Sequence, residues 1–131
     1  MILVLDASAA AEVVLQRQKA KHIQQILLKA STVIAPYLFI AEITNVFWKY
    51  YQFGSLPLDQ GQEAIECAIN LIDLFETEID LYKEAYSMAC LVKKPVYDMF
   101  YFILARRNNA TLITMDKSLV ETAKKHSIKT L

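Results

Sequence analysis

The chain has 131 residues, 55% of them hydrophobic, and its 14 basic and 14 acidic side chains give a formal net charge of zero. That length makes one domain, residues 1–131, able to bury roughly two-thirds of its unfolded surface. No apolar run reaches the ~18 residues that cross a bilayer, and the opening apolar run has no basic flank and ends in Asp6. No signal peptide is therefore expected, and a soluble cytoplasmic protein with no membrane partner is expected.

Net neutrality argues at first against a nucleic-acid partner. The distribution changes that: residues 59–84 hold eight acids against the single base Lys83, so the remainder carries 13 bases against 6 acids. The remainder is a basic surface, and four of its six acids are those singled out below. Random scatter of surface charge gives the same count.

In chain order, Ile2–Leu5 is a short unbroken apolar run, the pattern of a strand buried on both faces of a parallel sheet. Ser8 is placed to cap a helix over Ala9–Gln16, and a second helix covers Lys19–Lys29. Thr32–Ala35 reads as a strand stopped by Pro36, and a long helix runs from Leu38 to Phe53 before Gly54-Ser55. Pro57 opens a helix continuing to about Phe75, whose acids Asp59, Glu63, Glu66, Asp73 and Glu76 recur at helical spacing as a solvated face. Glu78–Leu81 is expected to be a brief strand and Tyr82–Val92 a helix. Pro95 starts another helix to about Asn108, Thr111–Thr114 is a strand, Lys117–His126 a helix and Ile128–Leu131 a last short strand. Strands alternating with helices predict a three-layer α/β/α domain with a short, mostly parallel central sheet.

Four carboxylates interrupt otherwise apolar stretches. Asp6 follows Met1–Leu5, Glu42 breaks Tyr37–Ile43, Asp98 is the only charge from Val96 to Ala105, and Asp116 follows Leu112–Met115. An ionised carboxylate in apolar surroundings is costly unless something compensates it. In an open α/β sheet, function gathers beyond the carboxyl ends of the strands, where Asp6 and Asp116 both fall. Each acid also has a plain alternative. Asp6 and Asp116 can cap the helices that follow them, Asp98 can favour the positive end of its helix, and Glu42 can belong to a wet stripe with Asn45, Lys49 and Gln52.

Four carboxylates with no clustered His or Cys form an oxygen-only donor set, which suits Mg²⁺, with Mn²⁺ as substitute, rather than zinc. Ser8, Thr114 and Asn45 are close enough in sequence to these acids to act as hydrogen-bonding support. Cys67 and Cys90 lack zinc-ligand spacing and read as structural thiols, and His22 and His126 as surface residues. With only Gly54 and Gly61 there is no glycine-rich phosphate loop. Ser8 has no nucleophile-elbow context, and Asp6 lacks the second Asp two residues on that aspartyl-phosphate phosphatases carry.

Val4-Leu-Asp-Ala-Ser-Ala9, Glu42-Ile-Thr-Asn45, Tyr97-Asp98 followed by Ala105, and Thr114-Met-Asp-Lys-Ser-Leu119 together resemble, in order and spacing, the PIN-domain ribonucleases and among them the VapC-type toxins of toxin–antitoxin pairs. The resemblance covers essentially the whole chain and departs from the family at Met99 and Phe100, where a small residue often follows the Asp. It implies metal ligation by Asp6, Glu42, Asp98 and Asp116, with Asp6 and Asp98 foremost. It further implies a Mg²⁺-dependent endoribonuclease that hydrolyses RNA phosphodiesters by metal-activated water, a cognate antitoxin protein and a homodimer. A non-toxin PIN nuclease of RNA processing and a catalytically idle binding module are the competing readings.

Residues 37–53 contain seven of the fourteen aromatic side chains. On one helix they cannot all face one core at 100° per residue, so some are expected on the surface as an interface. A helix buried on two sides within its own domain is the alternative.

Overall fold

The computed structural model describes residues 1–131. Four strands, β1 (Ile2–Leu5), β2 (Thr32–Pro36), β3 (Leu74–Glu76) and β4 (Thr111–Ile113), form one sheet in the order β3-β2-β1-β4. Every pairing is parallel. The interior strand β1 is buried over Leu3, Val4 and Leu5, which is why it reads as an unbroken apolar run.

Helices α1 (Ala7–Val14), α2 (Ala20–Lys29), α3 (Leu38–Phe53) and α4 (Leu58–Ile69) fill the first two crossovers, and α1 packs against the other three. α5 (Tyr82–Val92) and α6 (Val96–Arg107) carry the chain from one edge of the sheet to the other, α6 lying on β1, β2 and β4. α7 (Lys117–Lys125) follows β4. The expected three-layer α/β/α fold is present, around one continuous apolar core.

Several local expectations are corrected. α1 begins at Ala7, not Ala9, and its cap is Asp6 rather than Ser8. The helix after Pro57 ends at Ile69, so Asp73 is no part of a wet helical face: its carboxylate accepts from the Val33 amide at 2.8 Å. The next strand is Leu74–Glu76, paired with Ile34–Pro36, while Glu78–Asp80 is a single 3-10 turn. Edge pairing here overrides a helical pattern that would otherwise continue. β2 runs one residue further than expected, Pro36 standing opposite Glu76. Ile128–Leu131 supplies only one bridge, Thr130 to Leu112. Cys67 and Cys90 are free thiols, both exposed rather than built into the core.

α3 has the bounds expected, and its end is enforced at Gly54. A Cβ there would stand 2.6 Å from the Tyr50 carbonyl oxygen, closer than side chains are found. Phe39 and Phe47 are buried, whereas Tyr37, Trp48, Tyr51 and Phe53 are exposed, as the helical geometry requires. No helix is long and apolar enough to cross a membrane.

Candidate active site

The sheet changes direction at β1: the chain leaves it towards β2 and later returns to β4 on its other side. A crevice opens at such a switch point beyond the carboxyl ends of the two strands. Leu5 pairs with Ile113, and the Asp6 amide donates to the Ile113 carbonyl at 3.1 Å. Asp6 and Thr114 therefore emerge side by side.

Asp6 is buried and held at both oxygens. Its Oδ1 accepts from the Ala9 amide at 2.9 Å, capping α1, and from the Ser8 hydroxyl at 2.7 Å; its Oδ2 accepts from the Thr114 hydroxyl. Ser8 and Thr114 are themselves fixed, accepting from the amides of Met115 at 2.9 Å and Asp116 at 3.0 Å. Burial nevertheless pushes the Asp6 carboxyl up to about 6, against these hydrogen bonds and with a further push from the charge of Asp98.

A cavity of about 280 Å³ adjoins Asp6 and Ser8 and is lined as well by Glu42, Asp98 and Asp116. All four sequence-selected acids thus face one space, each brought by a different element. Glu42 stands in the second turn of α3, with Asn45 and Lys49 along the same wall. Asp98 stands in the first turn of α6. Asp116 caps α7, its Oδ1 accepting from the amides of Ser118 at 2.9 Å and Leu119 at 3.3 Å, which leaves Oδ2 without a protein partner. The capping role and the cavity-facing role coexist in Asp6 and Asp116.

Burial raises the Glu42 carboxyl, aided by Asp6 and Asp98 and opposed by the hydrogen bond from Tyr101. Burial also raises Asp98, aided by Asp116 and opposed by Lys94. None of the four carboxylates forms a salt bridge; both ion pairs in the protein belong to Glu84. Two polar residues of the cavity, Tyr101 and Lys49, have no functional role assigned from the sequence. Tyr101 follows Asp98 by three residues on α6, a spacing that puts both on one helical face. Lys49 continues the Glu42–Asn45 stripe by one more turn.

The donor set fits a hard divalent cation: it is all oxygen, and it carries more negative charge than Lys49 and Lys94 offset. No three of these side chains stand at mutual chelating distance, although all four line the cavity. The two observations agree once repulsion is counted. Like charges ~5 Å apart cost roughly 3 kcal/mol at an effective dielectric of 20, so carboxylates that share one cavity without a cation repel one another. Asp6 is held by three hydrogen bonds, whereas the Asp98 carboxylate accepts none from the protein.

Relatives carry the same fold. Over 126 residues the chain is 27% identical to Ribonuclease VapC3 of Pyrobaculum aerophilum, covering 92% of this chain and 94% of that protein. The crystal structure of PAE2754 from the same organism superimposes with a TM-score of 0.74 at 20% identity, covering 92% of this chain and 86% of that one. VapBC2 of Rickettsia felis, solved bound to a DNA fragment from its promoter, matches at 0.67 and 16% identity, over 93% and 92% of the two chains. VapC20 of Mycobacterium tuberculosis, a Sarcin-Ricin loop cleaving toxin, matches at 0.62 and 16% identity, over 92% and 94%. The PIN domain family matches residues 3–125, all but the two ends of the chain. The chain belongs to the PIN-domain family.

Proposed function

We propose that this protein is a metal-dependent endoribonuclease and the toxin of a toxin–antitoxin pair. The observation that carries the reading is the convergence of Asp6, Glu42, Asp98 and Asp116 on one cavity at the β1/β4 switch point, without an arginine or histidine to neutralise them. The likeness to a protein named Ribonuclease VapC3, and the fold shared with a Sarcin-Ricin loop cleaving toxin, support RNA as substrate and toxicity as role. The VapBC2 likeness supports an antitoxin partner.

Asp6, Asp98, Glu42 and Asp116 would hold Mg²⁺ or Mn²⁺, which supplies charge neutralisation at the scissile phosphate and a water of lowered pKa. The residues of the chain do the rest. Ser8, Thr114 and the Ala9 amide fix the Asp6 carboxylate in one orientation. Tyr101 fixes Glu42. Lys49, on the same wall, offers a cation to a non-bridging phosphate oxygen, and Asn45 offers a neutral donor.

The test is cleavage of total RNA by purified protein in millimolar Mg²⁺, in EDTA, and with Asp98→Asn. Cleavage in Mg²⁺ alone, lost in EDTA and lost in the folded variant, supports the reading. Cleavage that survives EDTA and the substitution sinks it.

A further inference from the structure

We propose that a second cleft, between α2 and α7, seats phosphates of a single-stranded RNA whose reacting bond lies over the four carboxylates; this rests on the nuclease reading above. The cleft is the roomier of the two spaces, about 810 Å³, and the loop that follows β4 divides it from the acidic cavity. Thr114 and Met115 line the cleft, while the Thr114 hydroxyl holds Asp6 on the other side. Asp116 faces the acidic cavity and Lys117, the next residue, faces the cleft. A strand passing over this partition leaves negative protein for positive within one residue.

The walls are basic. Lys19 stands at the start of α2 with His22 one turn on, and Lys117 and Lys124 stand in the first and last turns of α7. Glu121 is the only carboxylate side chain among the lining residues. None of the three ammonium groups takes part in an ion pair, since both pairs in the protein are made by Glu84. Three lysines against the one carboxylate side chain of Glu121 leave an excess of positive charge, which a polyanion offsets while releasing its own counterions. Part of the excess of base outside residues 59–84 is thus concentrated beside the acids.

Single-stranded RNA fits better than a duplex. Met115 and Val120, both partly exposed, give the cleft an apolar floor, and the exposed His22 beside it offers an imidazole to an unstacked base. A duplex keeps its bases inside and leaves such a floor unused. With few side chains to read base edges, contact is made mainly to backbone, and the cleft adds affinity with little choice of sequence.

The experiment measures binding of a fluorescein-labelled oligouridylate of about a dozen residues by anisotropy across a salt series in EDTA. Wild type is compared with the triple variant Lys19→Ala, Lys117→Ala, Lys124→Ala. A charge-matched control carries Lys29→Ala, Lys83→Ala and Lys93→Asn, Asn suiting the left-handed backbone at Lys93 (φ 58°). Each lost phosphate contact flattens the plot of log affinity against log salt by ~0.7. The cleft variant is expected to flatten it by about 2 and the control by less than 1. Equal changes in both variants, or none in the cleft variant, overturn the proposal. An equal loss on duplex DNA overturns the assignment to single-stranded RNA. Wild type that cleaves RNA in Mg²⁺ beside an unaffected cleft variant defeats this proposal alone, whereas wild type that neither binds nor cleaves RNA defeats the nuclease reading with it.

Discussion

Tyr101 donates its phenolic hydroxyl to Glu42 Oε1 at 2.5 Å, tying α6 to α3 one turn beyond Asp98. Burial, with Glu42 as acceptor, pushes the phenol far above its ordinary range, so it remains a donor at every working pH. A fully buried hydroxyl with one charged acceptor fixes the acceptor's position.

Tyr101→Phe keeps the ring and removes that tether. RNA cleavage is expected to fall by about 10- to 100-fold, the usual cost of losing an outer-sphere partner. The loss should shrink as Mg²⁺ is raised, because a looser Glu42 weakens affinity for the cation. Cleavage equal to wild type at every Mg²⁺ concentration would show that Glu42 needs no holding.

Asp6→Asn should abolish cleavage and keep the fold. Asparagine retains an oxygen for the Ser8 hydroxyl and the Ala9 amide, so the cap of α1 survives. Asp6→Ala loses the cap as well and should cost about 1–2 kcal/mol of stability. Denaturant titration of the two variants separates the roles: equal stability of both would mean that Asp6 does not cap α1 in solution.

Stability of the metal-free protein should fall as pH rises. The folded carboxyl of Asp6 is raised from 3.8 to about 6, so the folded state holds its proton more tightly than the unfolded chain. The stabilisation is complete below pH ~4 and is lost as pH passes 6, amounting to about 3 kcal/mol. Glu42 and Asp98, also raised, act in the same direction. Urea titrations in EDTA from pH 4 to 7 should show this slope, and Asp6→Asn should flatten it. A wild-type profile that rises over this range contradicts the buried state of Asp6 without a cationic partner.

Millimolar Mg²⁺ should raise the melting temperature at pH 7, since a ligand that binds only the folded state stabilises by mass action. The rise should be smaller in Asp98→Asn. An unchanged melting point in wild type would remove the metal from the site.

Trp48 and Tyr51 are about half exposed on α3, and Phe53 more so. Trp48→Ala is expected to leave the fold intact and to weaken antitoxin capture by at least thirtyfold, the scale of an interface hot spot. Homodimer mass in solution is to be recorded for the same variant. Phe47→Ala, in the core, should instead cost about 3–5 kcal/mol of stability. A Trp48→Ala protein that binds antitoxin and dimerises normally would leave this face without a partner.

The site was legible because its acids break apolar runs, two beyond strand ends and two in the opening turns of helices, and that pattern is local. Asp6 follows β1 directly and Asp116 lies three residues past the end of β4, so reading the strand places the acid. Tyr101 was not legible: an aromatic amid Phe100, Phe102 and Ile103 reads as core, and its hydroxyl matters only through Glu42, 59 residues away. β3 was missed for a similar reason. Leu74–Glu76 continues the helical spacing of the acids before it, and only the exposed edge of β2 makes it a strand. Ser8 reads as a cap only for a helix that starts at Ala9; with α1 starting at Ala7, the serine steadies the residue that does the capping.

Glu84 takes Arg106 at 3.0 Å and Arg107 at 2.5 Å, clamping α5 to the last turn of α6. Asp98 stands near the opposite end of that helix, roughly 12 Å away along its axis at ~1.5 Å per residue. Ionic strength therefore acts on the two ends of α6 in opposite senses. Added salt loosens the half-exposed clamp at Arg106 and Arg107, while it screens the crowding of negative charge around Asp98 and steadies that end.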